Sequence, residues 1–131
     1  MSIFESAVTI NKPASVVYAF LADMNNHKQL MPDSITDWES TADRASFNVQ
    51  NITKLSLQIE ERVADTLIRI IPAEKPPFDM ELKWEFATSQ ETTEVKFTIT
   101  ADLNMMMKML AGGPLKKLVE EETANLVRLL S

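Results

Sequence analysis

From Ile35 to Ala101 the chain repeats one pattern: apolar and polar residues alternate in short runs, with a break between each run and the next. One long amphipathic segment closes it. Ile35–Ser40 carries Trp38. Ala45, Phe47 and Val49 alternate with Ser46, Asn48 and Gln50, and Gln50-Asn51 suggests a turn. Leu55, Leu57, Ile59, Glu61 and Val63 alternate with polar partners. Thr66–Ile71 is rich in β-branched residues. Phe78, Met80, Leu82, Trp84 and Phe86 form the clearest strand, and Val95, Phe97, Ile99 and Ala101 another. Side chains repeat every two residues along a strand, so each run has one apolar and one wetted face. With Ile3–Ile10 at the N-terminus this predicts about seven strands in one antiparallel sheet. Pro72–Pro77 reads as a loop.

The helical segments are few. Pro13 suits a helix start, and Val17, Phe20, Leu21 and Met24 follow at i, i+3, i+4 and i+7. His27–Met31 is predicted as a second short helix, ended by Pro32. Leu103–Ala111 reads as helical and rich in methionine. Gly112-Gly113-Pro114 then interrupts it, so the last helix is predicted to start near Pro114. On that helix Leu115, Leu118, Val119, Leu126 and Leu129 gather on one face at 100° per residue. Glu122 falls in the middle of that face. A carboxylate in a packed core is costly unless paired or protonated. Either the helix closes something other than a solid core, or Glu122 has a partner.

The chain has 131 residues, enough for one domain (1–131) with a sizeable core. Its net charge is -6, with no basic run, which argues against nucleic acid and anionic membranes. No secretory signal or membrane-length apolar run is visible, which points to the cytoplasm and no integral membrane association. Without cysteine there is no disulfide and no thiol nucleophile. A single histidine makes a zinc site improbable, so neither metal nor cofactor is expected. Only two glycines are present, so hairpins must use Asn, Asp and longer loops. Eight methionines suit an adaptable apolar lining.

One meander that curls to bury its apolar face cannot be filled by a single helix, so a pocket is expected under the lid. The residues expected to line it are Trp38, Phe47, Leu57, Ile59, Ile70, Met80, Leu82, Trp84, Phe97, Met105, Met109, Leu118 and Glu122. Three of the chain's groups are candidates for chemistry. Glu122 either orients a ligand or acts as acid or base; alternatively a salt bridge to Arg69 or His27, or local solvent, explains it. Glu61 continues the inward register, but a β-bulge that turns it outward is the favoured reading. His27 is a candidate base at the cavity mouth, or, as a lone His beside Asn25, Asn26 and Lys28, a solvated loop residue. The methionine run over 105–109 is either a flexible gate or ordinary packing.

The order of elements resembles the helix-grip fold of the START-like, or SRPBCC, superfamily, which includes polyketide cyclase and dehydrase-like proteins. Val8-Thr9-Ile10-Asn11-Lys12-Pro13 leading into Val17-Tyr18-Ala19-Phe20-Leu21 carries the resemblance. So do Asp23-Met24-Asn25-Asn26, Leu30-Met31-Pro32, Ala101-Asp102-Leu103-Asn104 and Gly113-Pro114-Leu115. It implies an α+β fold with a curved sheet wrapped around a long C-terminal helix and two short helices after the first strand. It also implies binding of a hydrophobic small molecule or lipid in a central cavity. Two other readings stay open: a cyclase, dehydratase or hydrolase using a cavity carboxylate, and a protein-interaction module acting through the sheet edge or the methionine turn. Self-association into a homodimer is also open.

Overall fold

The computed structural model describes residues 1–49, 53–76 and 78–131. Seven strands form one sheet: β1 (Ser2–Ile10), β2 (Ile35–Ser40), β3 (Arg44–Val49), β4 (Thr53–Val63), β5 (Leu67–Pro72), β6 (Met80–Ser89) and β7 (Thr92–Ala101). Their spatial order is β1-β7-β6-β5-β4-β3-β2 and every pairing is antiparallel. Two short helices, α1 (Ala14–Leu21) and α2 (Met24–His27), and a 3-10 turn (Lys28–Leu30) follow β1, and α3 (Met105–Leu130) ends the chain. This is the α+β helix-grip arrangement. The predicted turn at Gln50-Asn51 lies outside the described residues, as does Pro77 of the predicted loop; Pro72 closes β5. Among the described residues no helix is long and apolar enough to cross a membrane.

The alternation of the strands sets the core. Phe47, Leu57, Ile70, Leu82, Trp84, Val95, Phe97 and Ile99 are buried on the concave face. Two bulges change that register, and both matter for the interior. In β2, Asp37 adopts φ 55, and the pairing with β3 slips between Thr36 and Glu39. The extra residue reverses the facing of the residues after it, so Trp38 turns inward and stacks on Phe47, with ring centroids 5.1 Å apart. In β4 the slip lies between Ile59 and Glu61. It places Glu61 on the outer face, where its carboxylate meets Arg69 at 2.7 Å. It also brings Arg62 round to the carbonyls of Ala22 and Ala42 and to Asp43. Glycine-free turns at Asp65 (φ 59) and Gln90 (φ 58) close the β4–β5 and β6–β7 hairpins.

The helices depart from the periodicity in three places. Met24 belongs to α2 rather than to α1, because Asp23 caps a new helix through the Asn25 N–H. Asn104 caps α3 through the Met107 N–H, and α3 then runs through Gly112-Gly113-Pro114 without the predicted break. Neither glycine takes a positive φ, and Ala111 and Leu115 are buried on both sides of the triplet, so packing holds the turn that the Pro114 ring weakens. Leu129, placed by period on the apolar face, is 41% exposed near the helix end.

Candidate functional site

α3 lies over the sheet, tied to β1 by a 2.7 Å bond between the Ser6 and Thr123 hydroxyls. On its other side the Asn125 amide donates to the Leu30 carbonyl at 2.7 Å. Leu118 and Glu122, one turn apart, therefore point between the two supports, into the space left above the sheet. A cavity of about 20 Å³ remains there. That is room for about one water molecule.

Trp38, Phe47, Leu57, Ile70, Leu82, Trp84, Leu118 and Glu122 border it. These eight belong to the expected lining. Met80 and Phe97 are buried in the packed core beside the cavity, with Phe97 stacked on Trp84 at 4.0 Å. Ile59 is half-buried at the β4 bulge and does not border the cavity. Met105 and Met109 do not reach the interior at all. They are 81% and 83% exposed, because they fall on the side of α3 opposite the face of Met107, Ala111 and Leu118 that packs on the core. The remaining lining comes from the insertion after β1: Met24, His27 and Met31. Met31 is a cavity residue that periodicity does not identify, and Met24, placed by periodicity on an apolar helix face, is not assigned to the cavity by it. The signal for Met31 is a methionine placed directly before Pro32.

His27 is not a solvated loop residue. It sits in α2, 2% exposed, with its ring edge-on to Trp84 at 6.1 Å. Its Nε2 lies 2.7 Å from the Leu21 carbonyl. A carbonyl only accepts, so Nε2 carries the hydrogen and Nδ1 keeps a lone pair. Burial pushes its pKa down to about 4, against the pull of the Leu21 carbonyl and of Asp23. The ring is neutral at physiological pH.

Glu122 is 2% exposed. Neither alternative explanation holds. Solvent barely reaches it, and Arg69 is engaged on the outer face with Glu60 and Glu61. No ion pair or hydrogen bond among the described residues reaches its carboxyl group. Desolvation alone raises its pKa well above the ordinary carboxylate value, which favours the uncharged acid. The indole N–H groups of Trp38 and Trp84 are also buried without an acceptor among the described residues. Buried polar groups are normally hydrogen-bonded, and each exception costs about 1–3 kcal/mol. Two such indoles border one cavity, beside the Glu122 carboxyl and a neutral imidazole.

The family model described as "Polyketide cyclase / dehydrase and lipid transport" matches residues 10–126. No protein of curated function matches the chain significantly. Among solved structures, a crystal structure of a Thermus thermophilus protein is similar, with 18% identity over 97% of this chain and 95% of that one and a TM-score of 0.77. A Deinococcus radiodurans protein shares 18% identity over 98% and 95%, with a TM-score of 0.69. A START superfamily protein from Mycobacterium smegmatis shares 14% over 97% and 98%, with a TM-score of 0.68. At these identities the likeness is one of fold.

Proposed function

Since the chain belongs to the polyketide cyclase / dehydrase and lipid transport family of START-like domains, we propose that it reversibly binds a hydrophobic small molecule in the interior between sheet and α3. One observation carries the reading. The Glu122 carboxyl is buried and, among the described residues, unpartnered beside a cavity bordered by both tryptophans. A side chain that weakens the folded state in this way fits a role in recognition better than a role in packing. The ligand's apolar surface supplies the affinity, about 25 cal/mol per Å² before ordering costs. Glu122, as an acid, donates to an oxygen on the ligand and sets its orientation.

A chamber sized for one water must open to accept such a molecule. Its walls suit that change. Met24 and Met31 are unbranched and rotate readily, and they come from the short insertion rather than from the sheet. Native mass spectrometry of the protein as purified from cells tests the proposal. A co-purifying apolar compound is expected from the wild type, and a changed compound profile from Glu122→Gln. Identical profiles from both proteins would remove Glu122 from recognition, and ligand-free wild type from every source would count against binding itself.

A second reading has a specific observation behind it. An uncharged carboxylic acid and a neutral imidazole share the cavity. Together they are an acid and a base, as a cyclase or dehydratase needs. A bell-shaped pH–rate profile on a bound substrate, abolished in Glu122→Gln, would favour the enzyme.

A further inference from the structure

A groove of about 540 Å³ runs along the outside of α3. One wall is the helix face carrying Lys117, Glu121, Asn125 and Arg128; the other is the segment 31–34. Lys117 and Glu121 are the immediate sequence neighbours of Leu118 and Glu122. A helix turns 100° per residue, so the groove and the interior cavity lie against adjacent strips of the same helix. One residue borders both spaces: Met31. It is half-buried, and it comes directly after Leu30, whose carbonyl is held by Asn125.

The charges of the groove balance. Lys117 and Arg128 share the helix wall with Glu121 and have Asp33 on the other wall, and Lys117 is already paired with Glu121 at 3.6 Å. Ser34 and the two charge signs offer donors and acceptors together. Such a surface satisfies hydroxyl or amide groups, which both donate and accept. It offers no net attraction to an anion, and the chain's overall charge of -6 repels one.

Resting on the reading of the interior as an apolar binding site, we infer that this groove is its mouth, that Met31 is the gate between them, and that the ligand is amphipathic. Its apolar end lies inside against Trp84 and Leu118. Its head is uncharged and hydrogen-bonding and stays in the groove.

The chain's only two tryptophans border the cavity, so energy transfer from them to N-phenyl-1-naphthylamine reports entry. The chain has no cysteine, so Ala124→Cys on the exposed groove wall can be labelled uniquely with a bulky maleimide without disturbing the core. The label is expected to slow entry by about tenfold or more, while the same label at Ser89→Cys, at the end of β6 and bordering neither space, leaves it unchanged. Met31→Ala is expected to speed it. Octyl glucoside is expected to displace the probe at a concentration about tenfold lower than octyl sulfate, both below micelle formation. Entry indifferent to the Ala124 label and to Met31→Ala would overturn the gate. Equal or reversed potency of the two amphiphiles would overturn the uncharged head. Absence of any transfer in the wild type would overturn the interior-binding reading itself, and is thereby distinguished from failure of the mouth alone.

Discussion

His27 and Glu122 border the same cavity, and burial drives both to their uncharged forms, one by loss of a proton and the other by keeping it. Neither forms an ion pair among the described residues. Arg69, the cation that the sequence offers as a partner for Glu122, sits on the opposite face of the sheet, alternating with the buried Ile68 and Ile70 of β5, and pairs there with Glu61.

That relationship fixes the pH dependence of stability. The folded-state pKa of Glu122 lies above its ordinary value of 4.5, so its contribution is whole below that value and is lost as pH rises through the folded pKa. For His27 the folded value of about 4 lies below 6.5, so its contribution is whole above 6.5 and is lost as pH falls through about 4. The latter difference corresponds to about 3 kcal/mol. Urea midpoints of the wild type should therefore decline on the alkaline side. Glu122→Gln should flatten that decline and be the more stable protein there. Parallel curves for the two proteins would show that Glu122 ionises freely in the folded state.

Arg62 joins three pieces of the insertion and its surroundings. It donates to the Ala22 carbonyl at 2.9 Å and the Ala42 carbonyl at 3.2 Å, and it pairs with Asp43 at 2.8 Å. Its side chain is one-third exposed and Asp43 more so, so screening discounts the ion pair; the carbonyl contacts are the greater part. Arg62→Ala is expected to cost roughly 1–2 kcal/mol. Hydrogen exchange should show the loss first in α1 and α2. Uniform loss across the sheet would place the effect elsewhere.

Gly112 and Gly113 are helical, and a Cβ at either would meet nothing within 4 Å. Nothing in the structure requires glycine there. Gly112→Ala and Gly113→Ala should each raise stability by about 0.5–1 kcal/mol, read from thermal or urea unfolding. Destabilisation by either would mean that α3 is broken at this point in solution, as the triplet suggests in the sequence.

The period-two runs make the sheet legible, and Glu122 stands out because one acid in an apolar helix face has no cheap explanation. Trp38 is expected inside, yet strict alternation from Ile35 would send it outward; the bulge at Asp37 supplies the reversal, and no residue type announces it. Glu61 shows the converse, where the favoured bulge is present. The polar neighbours of His27 point to a solvated loop, because burial of a short helix against Trp84 is a tertiary fact that no local pattern carries. The glycine–proline triplet misleads because local propensity is weak against packing on both sides. Residue type alone puts Met105 and Met109 inside, although at 100° per residue they fall on the side of α3 opposite Leu118.

The central claim is that the interior yields to an apolar molecule. Intermolecular nuclear Overhauser effects between bound N-phenyl-1-naphthylamine and the protein test it most directly. Contacts to the Trp84 indole, the Leu118 methyls and the Ile70 methyls are the predicted result. Contacts confined to the exposed Met105, Met106 and Met109, with none to Trp84, would contradict it.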